Sequence, residues 1–126
     1  MILGIGIDLE EVARIAESIS KFGERFLDRI FTAAEIAFCS GKANSNERFA
    51  ARFAAKEAAF KALQASWQAG LSWKDFELIA QPGGAPRMVL HGVAARLASE
   101  RGMRGLHVSF SHTKTHVTAV VVVEGD

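Results

Sequence analysis

Two acidic side chains occupy settings in which a carboxylate could do chemistry. Asp8 follows two glycines, Gly4 and Gly6, so no bulky side chain crowds it on its own stretch of chain. Glu57 lies in a long alanine-rich segment, and Lys61 follows it one helical turn later. Two carboxylates without an imidazole suit Mg²⁺, which keeps several waters and completes its octahedron with phosphate oxygens of a substrate. If the two acids meet in the fold, such an ion could bind between them.

Each of these features also has a purely structural interpretation. Glycines in a strand often mark a bulge or a close approach of two backbones. Glu57 and Lys61 could form an ordinary ion pair on a helix, which contributes only about 0.2–0.5 kcal/mol. The spacing alone leaves these alternatives open. Lys56, in the same helical segment, is harder to explain as a surface residue. It falls among the phenylalanines that share one side of the predicted helix, where a buried amine is costly unless it is paired.

Other familiar site patterns are absent from the sequence. The single cysteine, Cys39, can form neither an internal disulfide nor a thiolate zinc site. His112 and His116 are four residues apart, but they lie at a predicted hairpin turn and lack the H-E-x-x-H pattern. The chain also has no G-x-x-x-x-G-K-[ST] loop and no G-x-S-x-G elbow, which argues against a P-loop enzyme and a serine hydrolase.

The composition indicates one globular domain that covers residues 1–126. This length suits a single domain, and 49% hydrophobic with 23% charged residues is ordinary for a folded protein. A net charge of +1 is lower than a dedicated nucleic-acid-binding domain usually has, so we expect no nucleic-acid partner. The last apolar run, 117–123, is far shorter than the ~20 residues that cross a membrane. With no leader segment and no cysteine pair, we expect a cytoplasmic protein without a membrane contact.

The apolar periodicity predicts which elements position the two acids. Alternation over residues 2–8 predicts a strand that carries Asp8. Helices are predicted over 10–22, over 24–31 after an interruption at Gly23, from a capping box at 32–35, and over 47–64. The last of these is the longest, and it is rich in alanine without glycine or proline. It carries Glu57.

The second half of the chain predicts two hairpins and one helix. The segments 76–81 and 87–90 flank a turn rich in proline and glycine, a helix follows over 93–101, and a second hairpin joins 106–111 to 115–124. The last strand is apolar on both faces, so we expect both faces to be covered. This order of elements predicts an α+β fold with a largely antiparallel sheet packed on the long helix.

Five segments share their residues, in the same order, with one known family. They are GIGIDL at 4–9, RFAAKEA at 52–58, GLSWKD at 70–75, GAP at 84–86 and HVSFSHT at 107–113. Together they resemble the holo-[acyl-carrier-protein] synthase family of 4′-phosphopantetheinyl transferases. The chain departs from the family at Ile7, where a threonine is usual. It departs again at 64–66, where Gln-Ala-Ser replaces a Gly-Thr-Gly loop that lies near the coenzyme's phosphates in the family.

The resemblance implies an activity and a set of site residues. The reaction would transfer 4′-phosphopantetheine from coenzyme A to a serine of apo acyl carrier protein, in fatty acid biosynthesis, and release adenosine 3′,5′-bisphosphate. Asp8 and Glu57 would hold Mg²⁺, while Glu57 and Lys61 would be catalytic. The base that removes the serine proton could be Glu57 or a metal-bound water. The positions that match coenzyme contacts in the family are Arg52, Lys61, Pro86, His112 and Thr113.

The resemblance also implies partners. The family is a homotrimer with active sites at subunit interfaces, which agrees with the small core of a short chain. Its carrier protein is small, acidic and helical. If residues 14–25 form one helix, Arg14, Lys21 and Arg25 lie on one stripe together with Ser18, and Arg14 matches a carrier contact of the family. We therefore expect these basic residues to bind the carrier, with an ordinary solvated charged face as the alternative.

Two other functions remain open. A non-catalytic module that binds coenzyme A or the carrier protein could use the same fold and tolerate the altered loop at 64–66. An RNA-binding domain could use the basic residues of the long helix, but a pI near 8.0 and the lack of tyrosine argue against it.

Overall fold

The computed structural model describes residues 1–68 and 70–126. Within them the chain forms five strands, five α-helices and one short 3₁₀ turn. In chain order they are β1 (Ile2–Glu11), α1 (Val12–Phe22), α2 (Glu24–Ile30), α3 (Ala33–Cys39), α4 (Ser45–Ala62), the 3₁₀ turn (Trp73–Asp75), β2 (Phe76–Ile79), β3 (Arg87–Leu90), α5 (Gly92–Glu100), β4 (Met103–His112) and β5 (His116–Gly125).

The strands form two antiparallel sheets. The larger sheet has the order β1-β5-β4, so the last strand of the chain is its centre. In this register Asp8 lies opposite Ala119 and Gly6 lies opposite Val121. The smaller sheet is the hairpin of β2 and β3. The predicted α+β architecture, with an antiparallel sheet packed on the long helix, is confirmed.

Small side chains allow α4 to pack tightly against the larger sheet. The apolar side chains of the helix that are at most 2 % exposed are Phe49, Ala50, Ala54, Ala55, Ala58, Ala59 and Ala62. The alternate residues of β5 that are buried with them are Val117, Ala119, Val121 and Val123. Because alanine carries only a methyl group, the helix axis can approach the sheet closely. The core of the protein therefore lies between α4 and β5.

The outer face of the larger sheet is only partly covered. On β1 the side chains of Ile5, Ile7 and Leu9 are 61–65 % exposed. On β5 the side chains of Val120 and Val122 are half-buried. A single chain therefore covers the second face of β5 only in part, and full coverage of this face stays a prediction that depends on association of chains.

The predicted stripe from residue 14 to residue 25 is not continuous. α1 ends at Phe22, and Gly23 takes a φ of 56°, which a helix cannot accommodate. Arg25 therefore lies on α2 rather than on the helix of Arg14 and Lys21. The condition for a shared stripe, one helix over residues 14–25, is therefore not met, since Gly23 turns the chain between Lys21 and Arg25.

The remaining boundaries differ by a few residues. The capping box is present, because Thr32 Oγ1 accepts from the Glu35 amide while Glu35 Oε1 accepts from the Thr32 amide. α4 begins at Ser45, two residues earlier than predicted, and the first predicted strand runs on to Glu11. No helix in the described part of the chain has the length and hydropathy to span a bilayer.

Candidate active site

β1 crosses α4 with its backbone almost touching the helix. A Cβ atom at Gly4 would overlap the carbonyl oxygen of Ala62, and one at Gly6 would overlap that of Ala58. Any side chain at either position would push the strand away from the helix, so the two glycines are explained by a close backbone approach. The same crossing carries Asp8 to the helix turn of Lys61.

Asp8 and Lys61 meet directly at this crossing. Lys61 Nζ donates to Asp8 Oδ1 at 3.2 Å and to the carbonyl of Ile7 at 3.0 Å. The Asp8 side chain is only 11% exposed, whereas that of Lys61 is 51% exposed. Asp8 Oδ2 is buried and, apart from a protonated Glu10, has no hydrogen-bond donor among the described residues. A buried acceptor without a partner costs about 1–3 kcal/mol, so this oxygen favours a cation or a donor from a ligand.

Glu57 lies close enough to Asp8 for their charges to interact. Partial burial raises the pKa of Glu57, the charge of Asp8 raises it further, and Lys61 acts in the opposite direction. The sequence alternative of a simple Glu57–Lys61 ion pair does not describe this cluster, because Lys61 forms its ion pair with Asp8. The structure thus brings together the three residues predicted to be catalytic or metal-binding.

Glu10 is a third carboxyl of this cluster and is missing from the predicted site. Residues two apart on a strand share a face, so Glu10 lies beside Asp8. Burial first, and then a hydrogen bond and the charge of Asp8, raise the pKa of Glu10 to about 8, while the charge of Arg14 lowers it. The pair of acids at alternate positions of a strand was the signal available in the sequence.

The carboxylates fit a divalent cation of the Mg²⁺ type. In the described ranges, no three side chains of the His, Cys, Asp or Glu type are arranged to hold a metal by themselves. Mg²⁺ needs only one or two protein carboxylates, because waters and substrate phosphates supply its other ligands. Such an ion would satisfy Asp8 Oδ2 and would oppose the effects that raise the pKa of Glu57, which are burial first and then the charge of Asp8.

A second polar site lies further towards the start of α4. A cavity of about 170 Å³ is lined by Asn44, Glu47, Arg48, Ala51, Arg52, Phe110 and His112. Arg52 is 5% exposed, and its Nε has no acceptor within the described chain. Two arginines and a histidine around one cavity suit an anion with several oxygens, since guanidinium donors match phosphate geometry. The predicted pair of Arg52 and His112 is therefore brought together.

Of the other three predicted coenzyme residues, Lys61 belongs to the carboxylate cluster, and Pro86 and Thr113 also lie outside this cavity. Thr113 follows β4 in an exposed turn, where its hydroxyl accepts from the amides of Thr115 and His116. Pro86 directly precedes β3 in the smaller sheet. Neither is among the described residues that line the cavity. Their predicted contact with the coenzyme stays a prediction.

Lys56, next to Glu57, has a structural role. Its Nζ donates to Glu35 Oε1 at 2.8 Å, to the carbonyl of Trp73 at 3.3 Å and to the carbonyl of Phe76. Both side chains of the ion pair are completely buried. Burial lowers the pKa of Lys56, and the charge of Glu35 opposes that effect. The expectation that a buried amine here must be paired is confirmed, and its partner is the glutamate of the capping box.

A basic depression on α1 lies near the cluster. About 210 Å³ of space is lined by Arg14, Glu17, Ser18, Lys21 and Phe22. Arg14 and Lys21, two of the three residues predicted to bind the carrier, thus line the same depression. The third, Arg25, is not among the lining residues. The influence of Arg14 on Glu10 shows that this face adjoins the carboxylates.

Comparisons with known proteins agree with this geometry. The chain is 56% identical to the holo-[acyl-carrier-protein] synthase of Koribacter versatilis over 98% of this chain and 99% of that protein. It superimposes with a TM-score of 0.89 on the holo-[acyl-carrier-protein] synthase of Neisseria meningitidis, at 31% identity and with 98% and 99% of the two chains covered. The Helicobacter pylori synthase, solved in complex with coenzyme A, matches with a TM-score of 0.81 at 35% identity, over 95% and 99% of the chains. The family model of the 4′-phosphopantetheinyl transferase superfamily matches residues 4–121, and the chain belongs to that superfamily.

Proposed function

We propose that this chain transfers 4′-phosphopantetheine from coenzyme A to a serine of apo acyl carrier protein and releases adenosine 3′,5′-bisphosphate. The observation that carries the proposal is the meeting of Asp8, Glu57 and Lys61 where β1 crosses α4. The relatives named as holo-[acyl-carrier-protein] synthases support it. Because the acceptor is an acyl carrier protein, we assign the activity to fatty acid biosynthesis in the cytoplasm.

The reaction is a substitution at the phosphorus that carries the pantetheine. The serine oxygen forms a bond to this phosphorus, the pyrophosphate P–O bond breaks, and the leaving group takes the bonding electrons. Most of the acceleration in such reactions comes from positioning and neutralisation of charge. Lys61, half-exposed and held by Asp8, is placed to balance the charge that develops on the leaving phosphate.

Asp8 and Glu57 are the residues that would hold Mg²⁺. When bound, the ion would neutralise pyrophosphate oxygens and polarise the attacked phosphorus. The free Asp8 Oδ2 is the chain's most direct acceptor for it. Glu57 and a water molecule at this site are the two candidates to accept the serine proton.

The basic cavity supplies a place for the 3′-phosphate of the coenzyme. Arg52 and Glu57 are five residues apart on α4, so their side chains point about 140° apart around the helix. One coenzyme contacts both sites most easily if the cavity of one subunit adjoins the carboxylates of another. Pro86 and Thr113 complete the coenzyme site in this arrangement.

The open face of the larger sheet fits a homotrimer. Ile5, Ile7 and Leu9 form an exposed apolar row on β1, a feature typical of an association surface. Sedimentation equilibrium tests this assignment. A single species at three times the 13.6 kDa chain mass is expected, and a stable, active monomer would remove the model of a site between subunits.

Recognition of the carrier is assigned to the α1 face. Arg14 and Lys21 are two helical turns apart and line the same depression, while Arg25 approaches from α2. A basic rim suits an acidic helical partner, because complementary charge speeds the encounter of two proteins.

A direct assay separates this enzyme from a binding module. The chain is incubated with apo carrier protein, coenzyme A and Mg²⁺, and a carrier whose acceptor serine is changed to alanine serves as the control. A mass gain of one phosphopantetheine on the unaltered carrier alone supports the transferase. An unchanged mass, together with measurable binding of coenzyme A, supports the non-catalytic module.

A further inference from the structure

Three cations surround one phenylalanine, and two of them, Arg48 and Arg52, also line the basic cavity. The Nζ of Lys42 and the guanidinium carbon of Arg52 each lie 4.6 Å from the centre of the Phe38 ring, and the guanidinium carbon of Arg48 lies 5.2 Å from it. The three come from different places in the chain: a turn after α3 and two successive turns of α4. Phe38 itself is half-buried near the end of α3.

No carboxylate explains this gathering of positive charge. In the described part of the chain, Lys42, Arg48 and Arg52 form no ion pair. The one acid among the residues that line the cavity is Glu47. Arg48 Nε is held by Asn44 Oδ1 at 2.8 Å, and Arg52 is 95 % buried with its Nε free of any acceptor there. Like charges so close together are unfavourable unless something negative faces them.

The ring face supplies part of that negative counterpart. An aromatic ring attracts cations within about 6 Å of its centre through its quadrupole, and arginine is the commonest partner. A cation–π contact takes up no N–H donor, so those donors of the three cations that make no hydrogen bond within the protein can still bind a ligand. A phosphate could therefore accept from them without displacing an internal ion pair.

We propose that Phe38 is a positioning residue for the phosphate of the coenzyme's ribose: it holds Arg48, Arg52 and Lys42 in one cationic cradle. The inference rests on the proposed function, since it takes coenzyme A as the ligand of the basic cavity. It adds a residue outside the five coenzyme contacts predicted from the sequence. Phe38 touches no substrate atom and acts through the cations.

Titration calorimetry with two small nucleotides tests this role directly. Adenosine 3′,5′-bisphosphate carries the phosphate in question, and adenosine 5′-monophosphate lacks it. Wild-type protein is expected to bind the bisphosphate more tightly. Phe38→Leu keeps an apolar side chain but removes the ring, so its affinity for the bisphosphate should fall about fivefold or more, while its affinity for the monophosphate stays the same.

Two further variants keep the test decisive if Phe38→Leu folds poorly. Phe38→Tyr retains the ring face and should restore wild-type affinity. Incorporation of 3,4,5-trifluorophenylalanine at position 38 keeps the ring's shape but withdraws negative charge from its face, so the bisphosphate should again bind more weakly.

Phe26→Leu is the matched control, because that ring packs edge-on against Phe31 in the core. It should leave the ratio of the two affinities unchanged.

The outcomes separate the inference from the function on which it rests. Tight bisphosphate binding that is equal in wild type, Phe38→Leu and the fluorinated protein overturns the role of Phe38 and leaves the transferase intact. Wild-type protein that prefers neither nucleotide overturns the assignment of the cavity to the coenzyme. A parallel loss of affinity for both nucleotides shows a general structural effect and also overturns the proposal.

Discussion

The backbone of Gly6 lies against the carbonyl oxygen of Ala58 so closely that a methyl group on Gly6 would overlap it. Gly4 has the same relationship with Ala62, one turn later on α4. These two contacts set the distance between β1 and α4 immediately before Asp8. The position of Asp8 therefore depends on the absence of a side chain at Gly4 and Gly6.

Gly6→Ala should damage both stability and activity. The added methyl group cannot avoid rigid backbone atoms, so the strand must shift, at a cost of about 1–3 kcal/mol or more in the free energy of unfolding. Chemical denaturation measures that loss. Transfer activity should also fall under conditions in which the variant is still folded, because Asp8 moves with the strand. Gly84→Ala is the control for stability, since its nearest neighbours would be at 3.8 Å and 4.0 Å from the new Cβ. A Gly6→Ala protein as stable as the control would contradict the close crossing.

Gln64→Gly should stabilise the protein. Gln64 has a φ of 53°, a left-handed conformation that costs a residue with a side chain about 1 kcal/mol relative to glycine. It stands where the family places the first glycine of Gly-Thr-Gly. Thermal unfolding should show a higher Tm, equivalent to about 0.5–1 kcal/mol. Gln81→Gly, at an exposed turn position, should instead lower the Tm slightly, because glycine gains entropy in the unfolded chain. A lower Tm for both variants would show that residue 64 is not strained.

Glu10→Gln should stabilise the metal-free protein more at high pH than at low pH. Burial and Asp8 raise the pKa of Glu10 from 4.5 to about 8, so the folded state favours the protonated carboxyl. Wild-type stability should then fall as pH rises from about 4.5 to about 8, while the neutral amide avoids this loss. Above pH 8 the free energy of unfolding of Glu10→Gln should exceed that of the wild type by about 1–2 kcal/mol, once solvent screening is allowed for.

Denaturation in the presence of a chelator, at several pH values, measures this difference. Glu11→Gln removes the neighbouring carboxyl from an exposed position of the same strand and is the matched control. A gain for Glu10→Gln that is largest at pH 4 and shrinks as pH rises would have the wrong sign for a carboxyl with a raised pKa. That result would place Glu10 outside the cluster.

Local features of this fold could be predicted from the sequence, but long-range contacts could not. The capping box at Thr32 and Glu35 was readable because its two hydrogen bonds lie within four residues. The partner of Lys56 could not be predicted, since Glu35 is 21 positions away in the sequence and its carboxylate also accepts the hydrogen bond of the capping box. Glu10 was missed although it alternates with Asp8 on β1, because the burial that raises its pKa comes from the crossing of β1 and α4. Gly23 was recognised as an interruption, but whether α1 continued past it depended on its backbone conformation.

Arg14→Glu should weaken recognition of the carrier protein without affecting coenzyme A. The variant should raise the KM for apo carrier several-fold at low salt and leave the KM for coenzyme A unchanged. The defect should shrink as salt rises, because the Debye length falls from ~10 Å at 0.1 M to ~3 Å at 1 M. Arg25→Glu should have a smaller effect, since Arg25 lies on α2 outside the depression.

Steady-state kinetics in both substrates at two ionic strengths provide the measurement. Arg96→Glu is the control for net charge, because Arg96 is an exposed residue of α5 that pairs with Glu100. If Arg14→Glu and Arg96→Glu show the same carrier KM at low salt, the α1 face is only a solvated charged surface.

The carboxylate cluster at the β1–α4 crossing is most directly tested by the mass of the carrier protein. Wild type, Asp8→Asn and Glu57→Gln are each incubated with apo carrier, coenzyme A and Mg²⁺, and circular dichroism verifies that all three are folded. We expect wild type to add one phosphopantetheine to the carrier, and both variants to leave its mass unchanged, since each lacks one of the two charged carboxylates that would hold the ion. A wild-type protein that binds coenzyme A but never modifies the carrier, or a variant that modifies it at the wild-type rate, would contradict the proposed site.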